Sequence, residues 1–343
     1  MTIELPSWPY VYGPPSATGN YRSVPEDFCV YEILSFEPSG EGEHTFLQIR
    51  KTGENTDSIV RQLARFAGVR QRDVGYAGLK DRHAVTTQWF SVWLPGKSDP
   101  DWAAMETLSI KIIQTVRHAR KLKRGVLSGN RFSIMVRNLD GDKNNVIERL
   151  TAIKANGVAN YYGEQRFGNQ GQNVNKALLM FTEGKVKREL RSLYLSAVRS
   201  YLFNQILSVR VSAGTWNKAI LGDIYLFDRS QSCFKSQLLD DEILSRIAAK
   251  AIHPSGVLWG KGKLAADAEA LAVEQQVIEA NRELAQGLVA NGLEKSRRPL
   301  RVNVDDLDWD FPDLTTLKLT FTLPAGSYAT AVLREIIHDK PWV

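Results

Sequence analysis

One acidic side chain, Asp81, stands between two cations, Lys80 and Arg82, in a short segment entered through Gly75 and Gly78. Neighbouring cations favour the ionised form of a carboxylate. A carboxylate held ionised on a tight turn suits nucleophilic or electrostatic catalysis better than proton donation. The same residue types also describe a solvated loop between a helix and a strand, where ion pairs contribute little. His83, two residues on, offers a second titratable group. The flanking cations disfavour a further positive charge there, so it reads as a structural or backbone-contacting residue rather than a base. His44, His118, His253 and His338 have no metal-ligand spacing, and with only Cys29 and Cys233 there is no CxxC pair for a thiolate zinc site.

The elements that must position Asp81 read as short strands and one helix. The segment 28–34 is β-rich, and 45–50 alternates apolar and polar residues. Residues 38–42 between them are turn material. A helix is predicted after Asn55 or Thr56, with Ile59, Leu63, Phe66 and Ala67 on one face and Gly68 as its stop. A short segment over 74–77 and a predicted strand over 88–94 flank Asp81, so the acid sits where a connection enters a strand. Further strands are predicted over 110–116, 132–136 and 317–323, and a helix over 329–337.

From about 156 to 301 helical periods dominate, as in the series Leu195, Val198, Leu202 and Ile206. A helical block interrupting a β-rich one suggests one domain inserted into another. The length of 343 residues favours two domains over one.

The net charge of +6 and pI of about 9.2 permit a polyanionic partner without requiring one. The run 117–124 holds Arg117, Arg120, Lys121, Lys123 and Arg124, a candidate for phosphate contacts or a solvated charge run. Arg297, Arg298 and Arg301 are further phosphate-contact candidates. Two distant cysteines fit a reducing compartment. The first residues carry no basic head before an apolar run, and no window nears eighteen apolar residues, so neither a signal peptide nor a membrane span is expected. The expected location is cytoplasmic. No glycine-rich loop for a nucleotide cofactor is apparent.

Five ordered blocks carry a resemblance. They are Pro25-Glu26-Asp27-Phe28; Gly78-Leu79-Lys80-Asp81-Arg82-His83-Ala84-Val85-Thr86-Thr87-Gln88; Gly129-Asn130-Arg131-Phe132; Asn160-Tyr161-Tyr162-Gly163-Glu164-Gln165-Arg166-Phe167-Gly168; and Leu323-Pro324-Ala325-Gly326-Ser327-Tyr328-Ala329-Thr330. Together they span most of the chain and resemble the TruD family of pseudouridine synthases. The resemblance implies an α+β fold: a mixed β-sheet catalytic domain of pseudouridine-synthase type, discontinuous over 1–155 and 302–343, with a helix-rich inserted TRUD domain over 156–301. It implies isomerisation of uridine to pseudouridine in tRNA, at position 13 for bacterial members, with no cofactor, no metal and no obligate protein partner, and a monomer is expected.

The resemblance assigns the acid to Asp81. Whether that carboxylate attacks the sugar or promotes loss of a ribose proton stays open. Base retention calls for flat apolar walls that tolerate in-plane rotation. Matching blocks give Phe28, Phe132 and Tyr328 that role, although Phe28 and Phe132 also read as core residues. Tyr328 stands where phenylalanine is usual, so its hydroxyl needs a partner. Asn130 can both donate to and accept from a uracil edge. Arg22, a basic residue just before the first block, is expected to pair with Asp81; Lys80 is expected to do the same or to contact phosphate. Arg166 is expected to face RNA or to fasten the domains.

Overall fold

The computed structural model describes residues 3–184, 186–236, 238–263 and 266–339. The described residues form two compact units, one within 16–143, 304–326 and 337–339, the other within 3–15, 144–303 and 327–336.

The first unit is built on a mixed sheet. Its early strands are β1 (Thr18–Tyr21), β2 (Phe28–Ile33), β3 (His44–Thr52), β4 (Val74–Tyr76), β5 (Val85–Trp93), β6 (Ile110–His118) and β7 (Gly129–Asp140). Strands Asp305–Asp313 and Thr316–Pro324 extend it beyond β7, and His338–Asp339 adds to β1. The central order runs from Asp305–Asp313 through Thr316–Pro324, β7, β2, β5 and β3 to β6. β2 and β5 run parallel, as do β1 and His338–Asp339, whereas the other pairings are antiparallel.

A parallel pair needs a long crossover. Between β2 and β5 this connection carries β3, helix α1 (Thr56–Phe66) and β4. α1 begins where expected: the Asn55 side chain accepts the Ser58 amide at 2.8 Å, a standard N-cap. Its face of Ile59, Val60 and Leu63 packs on Leu47 and Ile49 of β3 and Phe90 and Val92 of β5. The opposite face of the sheet buries Phe46, Trp89 and Ala77 under Leu122 from the connection between β6 and β7. Gly75 permits that close passage: a Cβ there would stand 2.3 Å from the Leu122 carbonyl oxygen.

The second unit is centred on the 25-residue helix Arg188–Ser212, packed with Gln172–Glu183 and Arg282–Ala290 around Phe167, Val198, Leu202 and Leu288. It is less purely helical than its periodicity suggests. An antiparallel four-stranded sheet runs Cys233–Lys235, Ile224–Phe227, Ile252–Leu258, Ser296–Pro299. These strands are short, and Ile252–Leu258 carries both a proline and a glycine, which hides its pattern. The helix predicted over 329–337 ends early, at Leu333. Residues 3–15 belong to this unit through Glu335, whose carboxylate accepts the Val11 and Tyr12 amides. Among the described residues no helix is long and apolar enough to cross a membrane.

Candidate active site

The segment 77–84 joins β4 to β5, so Asp81 lies on a connection entering a strand. Buried hydrogen bonds fix it. Gln88 of β5, fully buried, donates through Nε2 to the Gly78 carbonyl at 2.6 Å and accepts from Thr56 Oγ1 at 3.2 Å. The Thr56 hydroxyl oxygen in turn accepts the Lys80 amide at 3.1 Å. The start of α1 and the middle of β5 therefore hold the turn from two sides. Hydrogen bonds away from water are stronger than exposed ones and resist exchange.

Asp81 is paired, but not by its sequence neighbours. Its Oδ2 lies 3.2 Å from Arg22 Nη2, and its Oδ1 accepts the His83 amide at 3.1 Å; the carboxylate side chain is 18% exposed. Arg22 follows β1 with φ at 75°, an uncommon conformation for a residue with a Cβ. Its guanidinium lies 4.1 Å from the centre of the Phe28 ring. Ion pair and cation–π contact offset a conformational cost of about 1–2 kcal/mol.

Lys80 points elsewhere. Its Nζ stands 2.6 Å from Glu32 Oε2 of β2, with side-chain exposures of 8% and 0%. Burial pushes the Glu32 carboxyl upward, and the Lys80 ammonium pulls it back. This pairing replaces both expected roles of Lys80, since the ammonium is committed to a buried carboxylate. Arg82 also turns away, donating through Nε to the Gly53 carbonyl at 3.1 Å. The flanking cations thus brace the turn, while a cation 59 positions before Asp81 supplies its counter-charge.

The ring residues share one face of the sheet. The register pairs Phe28 with Ile134, Val30 with Phe132, Glu32 with Asn130 and Phe132 with Phe321. Phe132 stacks on Phe321 with centroids 5.3 Å apart and meets Phe28 edge-on at 6.1 Å. Phe28 and Phe132 are buried, at 4% and 6% exposure, so both form part of the core. Asn130 follows on the same face. Its buried Oδ1 has no hydrogen-bond partner among the described residues, an arrangement that costs energy unless an external donor meets it. Phe132→Ala is expected to destabilise the fold by about 3–5 kcal/mol, readable by denaturant unfolding; a loss under 1 kcal/mol would contradict the packing described.

Tyr328 belongs to the other compact unit. There its hydroxyl accepts from Arg166 Nε at 3.0 Å and Nη2 at 2.6 Å, and Arg166 Nη1 reaches Ser196 Oγ at 3.0 Å. The partner needed by a tyrosine at this position is Arg166. Arg298 lies 4.0 Å over the Tyr162 ring and binds Asn160 Oδ1 at 2.6 Å. Gly163 is required here, because a Cβ would approach the Thr330 hydroxyl to 2.8 Å.

The basic candidates divide by their partners. Arg117 is held by Asp99 and the Lys97 carbonyl, Lys121 by the Arg72 carbonyl, and Arg124 by the Tyr76 hydroxyl. Arg120 and Lys123 are exposed. Arg297 pairs with buried Glu274 at 2.7 Å, and buried Arg301 donates to His253 Nδ1. Arg297 and Arg301 therefore serve packing rather than a phosphate surface, and Arg298 is occupied by Tyr162 and Asn160. Among the described residues no cluster of three or more His, Cys, Asp or Glu could hold a metal. Both cysteines are free thiols.

One residue at the site goes unnoticed when only the motif is read. Lys51, at the end of β3, is fully buried, with Nζ 2.6 Å from the Glu54 carbonyl and 3.5 Å from that of Asp81. The signal exists in the sequence: Lys51 continues the period-two series Leu47, Ile49, which faces inward.

Comparison with known proteins gives the family of the chain. A family model described as tRNA pseudouridine synthase D (TruD) matches residues 6–180 and 169–336. A tRNA pseudouridine synthase D of Methylococcus capsulatus is 52% identical over 335 residues, covering 97% of this chain and 95% of that protein. Relatives of the same name from Nitrosococcus oceani and Hydrogenovibrio crunogenus are 47% and 43% identical, covering 95% and 98% of this chain and 92% and 98% of their own lengths. The crystal structure of a Methanosarcina mazei protein bearing the TruD name shares the fold, with a TM-score of 0.73 at 23% identity over 96% of this chain and 95% of that one. With the motif-bearing turn, the mixed sheet and near-complete coverage in agreement, the chain belongs to the TruD family of tRNA pseudouridine synthases.

Proposed function

We propose that the chain isomerises uridine to pseudouridine in tRNA, at position 13, with Asp81 as the acting carboxylate on a nucleotide turned out of its stack. The observation that carries this reading is the Arg22–Asp81 pair at 3.2 Å, on a turn pinned by Thr56 and Gln88. In this reading residues 1–155 and 302–343 form the catalytic domain and 156–301 the inserted one. The relatives' name supplies the substrate class.

The reaction breaks the bond from uracil N1 to C1′ of the ribose, rotates the base, and joins C5 to C1′. The C5 proton leaves and N1 gains one, so nothing is added or lost overall. An ionised Asp81 serves the sugar, either by attack at C1′ or by promoting loss of a ribose proton. Arg22 pairs with that carboxylate and aims it. Phe28 and Phe132 provide an apolar wall for the base, and the Asn130 side chain, with an unsatisfied Oδ1, accepts from the uracil edge. Tyr328, held by Arg166, is the remaining candidate for base stacking.

Everting a base costs a few kcal/mol. Phosphate contacts repay that cost without reading sequence, and Arg120 and Lys123, two exposed cations of the basic run, serve this purpose. Replacing both by alanine is expected to lower the slope of log Kd against log salt by about two. A binding titration at several salt concentrations measures this, and an unchanged slope would move the RNA path elsewhere.

The activity is tested with tRNA carrying tritium at uridine C5. Release of one tritium per tRNA is the expected result, because that hydrogen leaves when C5 bonds to C1′. No release above background would overturn the reading.

A further inference from the structure

We propose that Lys51 is a positioning residue for Asp81 and that activity fails as its ammonium loses a proton. The proposal rests on the reading of Asp81 as the acting carboxylate.

Lysine is almost never fully buried unless it is paired. Lys51 is 0% exposed, and among the described residues no carboxylate lies within ion-pair distance of it. Its hydrogen-bond acceptors are two backbone carbonyls, Glu54 at 2.6 Å and Asp81 at 3.5 Å. A buried ammonium satisfied by carbonyls alone is an expensive arrangement. What it achieves here is specific. One carbonyl belongs to the turn that follows β3, and the other belongs to the acidic residue itself. Arg82 returns the connection in the opposite sense, from the Asp81 turn to the Gly53 carbonyl at 3.1 Å. The two turns are thus joined by two cations, one buried and one exposed. Asp81 is held at its carboxylate by Arg22 and the His83 amide, and at its carbonyl by Lys51.

The charged groups that bear on Lys51 are Lys80 and Asp81 on the catalytic turn and Glu54 beyond β3. Lys80 is in turn bound to Glu32 of β2. Burial, with Lys80 adding to it, pushes the Lys51 ammonium down to about 8, against the attraction of Asp81 and Glu54. Charge-assisted hydrogen bonds are roughly twice as strong as neutral ones, so loss of this proton slackens the hold on the turn. A displacement of about 1 Å at a reacting group can cost on the order of 100-fold in rate.

Stability and activity should then move in opposite directions. The native state depresses this group's proton affinity, so between about pH 8 and the unfolded value of 10.5 the unfolded chain binds more protons. The contribution of Lys51 to stability therefore rises with pH across that window. A lysine with only a structural role would make activity and stability change together.

The test is a pH–rate profile of the full chain on a tRNA transcript, for wild type, Lys51→Arg and Lys51→Met, with thermal melts at each pH. The wild-type rate is expected to fall above about pH 8 while its melting temperature relative to Lys51→Met rises. Lys51→Met is expected to lose on the order of 100-fold in kcat, with KM within about threefold and a flat profile. Lys51→Arg, which stays protonated, should push the fall to higher pH. A Lys51→Met kcat within threefold of wild type would overturn the proposal, as would an identical alkaline fall in all three proteins. Where a variant does not fold, the wild-type profile decides: a rate still level at pH 9.5 sinks it. Activity surviving Asp81→Asn would instead remove the reading on which it rests; an inactive Asp81→Asn with a fully active Lys51→Met would remove Lys51 alone.

Discussion

Asp81→Asn is expected to reduce kcat for pseudouridine formation by on the order of 10⁴-fold or more, with the Kd for tRNA within about threefold. Asparagine keeps the shape of the side chain. Its one amide oxygen can still accept the His83 amide, the Nδ2 in place of the second oxygen cannot accept from Arg22, and the turn keeps its hold through Thr56 and Gln88. What disappears is the negative charge, the one property that either route at the sugar requires. Single-turnover kinetics beside equilibrium binding separate the two effects. A fall in binding that matched the fall in rate would make Asp81 an RNA contact. Retained turnover would make the chain's catalysis independent of it.

Lys80→Met is expected to destabilise the fold by about 3–5 kcal/mol. The Glu32 side chain is fully buried, and Lys80 Nζ, 2.6 Å away, is its only counter-charge among the described residues. Removing the cation leaves a carboxylate in a low-dielectric site, which is far costlier than losing the pair as a whole. The double variant Glu32→Gln with Lys80→Met should therefore recover most of the loss, giving a large coupling in a double-mutant cycle. Denaturant unfolding at neutral pH measures all three proteins. If Lys80→Met folds as stably as wild type and only weakens tRNA binding, the ammonium contacts phosphate instead.

The difference between these two residues marks what the sequence could disclose. Features set by near neighbours were legible: the Asn55 cap, the amphipathic face of α1, the alternation in β3, the glycine-bearing turn and the return to β structure after 301. The motif blocks also located Asp81 and its family. The blocks also pointed to Arg22 for Asp81, but the partner of Lys80 was not legible, because partners are chosen by strand register over long separations. Arg22 reaches Asp81, and Lys80 reaches Glu32, only once β2 lies beside β5. Adjacency in sequence put Lys80 and Arg82 on the acid as well, and both turn elsewhere.

The second unit hides its strands for a related reason. Strands of three or four residues inside a helical block carry too little period to be seen, as Ile224–Phe227 and Cys233–Lys235 illustrate. Lys51 is hidden in the sequence for a different reason. Its place in the inward-facing series of β3 was available, yet a charged residue at a strand end is ordinarily taken as exposed.

Unmodified tRNA transcripts incubated with the purified chain, followed by position-by-position mapping of pseudouridine, test the central claim most directly. The expected result is one new pseudouridine, at position 13, absent when the Asp81→Asn protein is used. No new pseudouridine, or the same modification with the Asp81→Asn protein, would contradict it.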